Sequence, residues 1–206
     1  MSEILVLYYS KGGSVKEMAS LIGRGINSID GFTAKIRTVP DVFPETMKAK
    51  SKIPGSGSLF ATIEDLESCS GLALGSPTRF GNMAAPLKYF LDNATAAWIK
   101  GSLENKPACV FTSSGSVHGG NESTLLSMQL PLFHLGMIIM GIPYSVPSLS
   151  SSSAGGTPYG ASHVGGGKNN NPITEDEKKI CIAQGVRLAE VAKKINSKQF
   201  ISRVSN

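Results

Sequence analysis

An unbroken apolar run, ILVLYY at positions 4–9, stops abruptly at Ser10-Lys11-Gly12-Gly13-Ser14. Beyond it Val15, Met18, Ala19, Ile22, Ile26 and Ile29 recur at helical spacing, up to the helix-stop pair Asp30-Gly31. Residues 32–39 then resume a strand pattern. A strand with no polar position needs cover on both faces, the condition of a parallel sheet with helices on each side. A strand–turn–helix–strand unit with so short a turn confines the chain to the α/β class.

The unit recurs along the sequence. A short strand is predicted at 71–75 (GLALG), with a helix over 86–93 that places Leu87, Phe90 and Leu91 on one face. Another strand follows at 107–112 (PACVFT), then a helical stretch at 122–135 and a fifth strand at 137–142. Thr174-Glu175-Asp176-Glu177 reads as a capping box, with Glu three residues after Thr. The helix it opens carries Cys181, Leu188, Ala192 and Ile195 on one side and runs to about Asn196. Together these predict an open parallel five-stranded sheet with helices on both faces. In such sheets ligands bind beyond the carboxyl ends of the strands, where the strand order reverses.

One domain is expected over 1–198, with a Ser/Gly/Pro-rich insertion at about 143–172 and a tail at 199–206. Within the insertion, an ordered part around Tyr159 and flexible parts at 148–156 and 165–171 are expected. A second polar, proline-bearing stretch spans 42–57 and precedes a short helix at 62–68.

Composition excludes several classes. At 41% hydrophobic and 17% charged, the chain can bury an ordinary globular core. No run approaches the roughly 18 apolar residues of a membrane span, and the N-terminus shows no basic leader; a cytoplasmic protein is expected. Cys69, Cys109 and Cys181 have neither disulfide-pair nor metal-ligand spacing and read as small apolar residues. The net charge of +5 is concentrated near the C-terminus, at Lys178, Lys179, Arg187, Lys193, Lys194, Lys198 and Arg203. Lysines on an amphipathic helix without interleaved aromatics form a solvated face, so no nucleic-acid partner is expected.

Three turns carry the candidate chemistry. The first, Ser10-Lys11-Gly12-Gly13-Ser14-Val15, opens a helix with glycine amides and hydroxyls, an anion site. Its spacing is neither the dinucleotide fingerprint nor the P-loop, and its compactness suits a single phosphate. In the second, Pro77-Thr78-Arg79-Phe80-Gly81-Asn82-Met83 follows a strand end. Its amides can bond the edge of a planar heterocycle, with Phe80 and Met83 as walls. The third, Ser113-Ser114-Gly115-Ser116-Val117-His118-Gly119, offers small side chains that let a flat ring approach the backbone.

A phosphate site joined to a flat-ring site suits FMN. The runs Leu7-Tyr8-Tyr9-Ser10, Gly75-Ser76-Pro77-Thr78-Arg79-Phe80-Gly81-Asn82-Met83 and Gly155-Gly156-Thr157-Pro158-Tyr159-Gly160-Ala161 closely resemble the WrbA-type NAD(P)H:quinone oxidoreductases. That resemblance extends over nearly the whole chain. It implies a flavodoxin-like fold, an FMN cofactor, NADH or NADPH as co-substrate, a quinone substrate and a homotetramer built as a dimer of dimers. It also implies that Ser10 and residues 12–15 hold the phosphate, that 77–83 lie along the flavin, and that 113–119 surround ribityl and ring. His134 matches the family's histidine beside the flavin, and Trp98 an aromatic supplied by a neighbouring subunit at the opening. A histidine near a helix end can also serve as a cap, and a lone tryptophan as packing.

Many members of that family carry Tyr where this chain has Gly12 and His where it has Ser14. The preference between NADH and NADPH therefore stays open. The reaction implied is hydride transfer through flavin N5, then two-electron reduction of the quinone in the same slot, with ping-pong kinetics. No metal is expected. The alternatives are a non-enzymatic electron carrier, which the basic composition disfavours, and an FMN-binding regulatory protein.

Overall fold

The computed structural model describes residues 1–43 and 57–196. Strand β1 (Ser2–Tyr8) leads into helix α1 (Ser14–Asn27), followed by β2 (Phe32–Thr38). Next come α2 (Ile63–Ser68), β3 (Leu72–Pro77), α3 (Ala85–Asp92) and the single-turn α4 (Thr95–Ile99). Strand β4 (Pro107–Ser114) and helix α5 (Asn121–His134) precede β5 (Ile138–Ile139), α6 (Ser148–Ser151), β6 (Ala161–Val164) and the long α7 (Glu175–Ile195).

All strand pairs are parallel, in the order β2-β1-β3-β4-β5, with β6 also on β4. Chain order reverses between β1 and β3, which makes the crevice above their carboxyl ends the switch point. Successive residues of β1 go to opposite cores. Ile4, Val6 and Tyr8 join α1 and α7 on one face, while Leu5 and Leu7 meet α2, α3 and α5 on the other. Each fully buried aliphatic chain contributes about 1.5–3 kcal/mol, so the unbroken run is the main anchor of the sheet. Helices α1 and α7 approach closely at two glycines. A Cβ on Gly25 would stand 2.2 Å from the Ile182 carbonyl, and one on Gly185 2.1 Å from that of Ile22.

The fifth strand departs from the sequence expectation. Instead of a continuous strand at 137–142, β5 pairs only Ile138 and Ile139 with Pro107 and Ala108, and the chain then leaves the sheet. The upper half of the same sheet position is filled by β6, where Phe111–Ser114 pair with Ala161–Val164. Gly141 lies so near Pro158 that a Cβ would be 2.3 Å from its carbonyl oxygen, and Ile142 N donates to that oxygen at 2.9 Å. Pro143 has no N–H for the ladder, which agrees with the strand ending there.

The 143–172 insertion is thus partly sheet, with α6 inside the 148–156 segment and turns at 165–171. Ser148 and Ser151 of α6 donate to the Asp176 carboxylate at 3.0 and 3.1 Å. Residues 165–171 form turns braced by Asn169 and Asn171. The predicted helix at 62–68 is α2, with Thr62 and Asp65 completing a capping box. The Thr174–Glu177 capping box of α7 also forms. Most of the polar stretch at 42–57, and the tail at 199–206, lie outside the described residues.

Candidate functional site

Above the switch point, β1 gives way to the first turn. Tyr9 N still bonds Gly75 O at 3.0 Å, after which Ser10 Oγ accepts from Gly13 N at 3.1 Å. Gly13 has φ +99°, a left-handed conformation natural to glycine, and turns the chain straight into α1. Helix α1 has no capping side chain, so the N–H groups of its first turn have no partner within the helix. Helices α2 and α7 are closed by capping boxes, whereas α1 and α5, which follow the first and third turns, start from glycines without one.

The second turn is rigidly built. Ser76 Oγ, fully buried, donates to Pro77 O and accepts from Ala84 N at 2.8 Å. Arg79 and Asn82 exchange two backbone hydrogen bonds, at 2.7 and 3.1 Å. Between them Phe80 (φ +53°) and Gly81 (φ +77°) form the tip, and the Phe80 side chain is fully exposed. Met83 points the other way, buried in the core beside Leu87, so this residue faces the crevice with its backbone at most. Asn82 Oδ1 accepts from Met83 N and fixes that reversal.

The third turn meets the second. Thr78 N donates to Ser113 O at 2.9 Å, and a Cβ on Gly120 would be 3.2 Å from Gly81 Cα. Ser113 and Ser114 are buried at the end of β4, and Ser114 Oγ donates to Ser116 O. Gly115, Ser116, Val117 and His118 are exposed, and Gly119 N closes the turn onto Ser116 O at 3.0 Å.

A cavity of about 220 Å³ joins the three turns. Ser10, Lys11, Gly12, Ser14 and Val15 line it from the first, Pro77 and Arg79 from the second, and Ser113 from the third. Asn169 completes the wall, a residue the sequence reading passed over. Its signal there was only an asparagine run after Gly165-Gly166-Gly167, which reads as turn chemistry. The lining is donor-rich: open helix N–H groups, three serines, a lysine and an arginine. That set fits a phosphate monoester. Beneath the site, Tyr9 OH donates to Asp41 Oδ1 at 2.7 Å. Burial and the Asp41 carboxylate push its pKa up to about 12 against the opposing pull of Arg79, so Tyr9 stays protonated near neutrality.

His134 and Trp98 are not part of this cluster within one chain. They share a separate cavity of about 330 Å³ with Lys88, Leu91, Asp92 and Thr95, on the α3–α4–α5 face. His134 ends the 14-residue α5, whose first residue abuts the third turn, so about 20 Å of helix separates the two places. All three cysteines are buried and unpaired, and burial pushes the Cys109 thiol up to about 12. Among the described residues, no three His, Cys, Asp or Glu side chains are grouped to hold a metal, and no helix is long and apolar enough to cross a membrane.

A Syntrophobacter fumaroxidans protein, an NAD(P)H dehydrogenase (quinone), is 36% identical over 200 residues, covering 94% of this chain and 98% of its own. A Chromohalobacter salexigens protein of the same description is 38% identical over 200 residues, covering 95% and 99%. The crystal structure of a WrbA-like flavodoxin from Agrobacterium tumefaciens superposes with a TM-score of 0.65 at 19% identity, over 94% of this chain and 99% of that one. A flavodoxin from the domain Archaea gives 0.62 at 20% identity, over 93% and 99%. These structures share the flavodoxin-like fold. Residues 3–148 match the family described as NADPH-dependent FMN reductase, and the chain belongs to that family.

Proposed function

We propose that this protein is an FMN-dependent NAD(P)H:quinone oxidoreductase. One observation carries the reading: a single donor-lined cavity unites the three turns above the switch point, in a chain whose full-length relatives are NAD(P)H dehydrogenases of quinones. Bound FMN would supply the redox chemistry, taking a hydride from the nicotinamide and passing two electrons to the quinone. The protein's part is to bind, orient and enclose.

In this reading the N–H groups at the start of α1, with the Ser10 and Ser14 hydroxyls, hold the phosphate. Gly12, Gly13 and Val15 shape that turn. Residues 77–83 border the ring on one side, with exposed Phe80 available to stack against a flat substrate. Residues 113–119 border the ribityl chain and the ring on the other side, where small side chains permit close approach. Both substrates are planar, so one slot can take them in turn, which predicts parallel lines in double-reciprocal plots.

His134 and Trp98 reach such a site only from another subunit. Support for a homotetramer comes from the α3–α4–α5 face, where Tyr89, Trp98, Ile99, Leu126, Leu130 and Phe133 are exposed together. Exposed apolar side chains on these neighbouring helices are what an interface between copies of the chain would cover. His134 from a neighbour would donate to the flavin edge where negative charge grows on reduction. His134→Ala should then lower the flavin potential and slow hydride transfer, whereas Trp98→Ala should raise the Michaelis constants more than it weakens FMN.

Anaerobic stopped-flow of the FMN-loaded protein tests the whole reading. Mixing with NADH or NADPH should bleach the flavin band, and benzoquinone should restore it. A flavin that neither nucleotide bleaches would rule out the oxidoreductase and leave an electron carrier or an FMN-binding regulatory protein.

A further inference from the structure

The geometry points to Asn169 as a phosphate-binding residue, an inference that rests on the FMN reading above. Residues 165–171 leave the end of β6 and cross back over the first turn. Gly165 N donates to Ser114 O at 2.8 Å, which pins the start of this strap to the third turn. Within it Asn169 N donates to Gly166 O at 2.9 Å and Asn171 N to Gly165 O at 3.0 Å, while Asn171 Nδ2 reaches Val164 O at 3.1 Å. Asn169 itself has φ +52°, a left-handed conformation that asparagine tolerates better than most residues.

The Asn169 side chain ends at the mouth of the anion cavity. Its Nδ2 donates to Gly12 O at 3.1 Å. Because the acceptor is a carbonyl, this end of the amide must be the NH2 group and not the oxygen. An amide nitrogen carries two protons, and Gly12 O takes one. The second belongs to a residue that lines the same cavity as Ser10, Lys11, Ser14 and Arg79, each of which carries a donor group. A phosphate oxygen is an acceptor that this group of donors suits.

Gly12 is the counterpart that makes the arrangement possible. A Cβ at that position would lie 2.1 Å from Asn169 Nδ2 and 2.9 Å from its Cγ, so any larger residue pushes the amide out of place. Gly12 and Asn169 thus form one device. The glycine opens the space, and the strap fills it with a donor aimed at the phosphate.

The test compares FMN with riboflavin, which lacks the phosphate, by quenching of flavin fluorescence in titrations with the full chain. Asn169→Ala should weaken FMN by about tenfold, the scale of one hydrogen bond to a charged group, and leave riboflavin affinity unchanged. Asn169→Asp, nearly isosteric but anionic, should weaken FMN further and again spare riboflavin. Gly12→Ala should reproduce the selective loss, and the double variant should be no worse than the single ones, since both remove the same contact. Equal weakening of both ligands would make Asn169 a loop scaffold and overturn the inference. So would unaltered FMN binding in a folded Asn169→Ala protein. A wild-type chain that bound no FMN would fail at the first titration and overturn the FMN reading together with this one, an outcome distinct from the other two.

Discussion

Thr78 Oγ1 and Thr124 Oγ1 lie 2.6 Å apart, joining the second turn to α5 by a hydroxyl pair. Thr124 is fully buried, its own N–H bonded to Gly120 O at 3.0 Å, so it offers a fixed point in the helix. Thr78 is also held from the other side through Ser113 O. The turn that would border a flavin is therefore clamped between β4 and α5.

Removing that clamp should loosen the turn. Thr124→Val keeps the shape but strands the Thr78 hydroxyl, and should cost about 1–3 kcal/mol of stability. It should also weaken FMN binding severalfold, while Thr124→Ser restores both. Thermal unfolding with and without FMN measures the two effects; a valine variant equal to wild type in both would show the pair to be incidental.

A steric relationship under the site makes a second prediction. A Cβ on Gly75 would fall 2.2 Å from the Phe111 ring, which is fully buried between β3 and β4. Gly75→Ala should destabilise by about 1–3 kcal/mol through overpacking. Adding Phe111→Leu to the alanine variant should recover part of that loss, a coupling that denaturant titration of the four proteins reads directly.

Acid should act on Glu177. This buried carboxylate accepts from Gly155 N at 2.9 Å and Thr174 N at 2.7 Å, and pairs with His163 Nδ1 at 3.1 Å. Burial alone would raise its pKa, but His163 and the backbone donors outweigh it and hold the value below the ordinary carboxylate range. A group depressed on folding stabilises the native state above its unfolded pKa, about 4.3. That contribution is lost as the pH falls from there through the lower folded value. Glu177→Gln should cost about 2–4 kcal/mol at neutral pH. It should also flatten the acid limb of the stability curve below about pH 4.5. An unchanged acid limb in urea titrations across pH 3–6 would contradict the assignment.

The apolar face should control assembly. Leu130 and Phe133 are 61% and 58% exposed on α5, one helical turn apart. Leu130→Glu should split the proposed oligomer in sedimentation velocity without loss of helical circular dichroism. Should the neighbouring subunit's Trp98 close the site, the same variant loses quinone turnover while retaining FMN. Wild-type protein sedimenting at the mass of one chain would refute the interface.

The thiols should be silent. Burial raises the pKa of Cys69, Cys109 and Cys181 alike. A thiol at that level is almost wholly protonated near neutrality and reacts slowly. Native protein should therefore gain no maleimide adduct in a short exposure at neutral pH, and unfolded protein three, as read by intact mass.

Local chemistry alone determined much of this molecule. The ILVLYY run, the Asp30-Gly31 stop and the Thr174–Glu177 capping box act within a few residues, so the α/β alternation and the three turns were legible along the chain. Fragments whose order comes from distant partners were not. Strand β6 carries Ser162 and His163 in place of an apolar run, and these are accommodated only because Gly156 N and Glu177 come to meet them. The divided fifth strand follows from the close crossing at Gly141 and Pro158, 17 residues apart in sequence. Asn169 looked like turn filler, and its place against Gly12 depends on a contact across 157 residues. Likewise the separation of His134 from the turns is set by the length and direction of α5, which no motif encodes. Short-range forces write themselves into composition and spacing, whereas sites assembled by chain crossings exist only once the tertiary structure closes them.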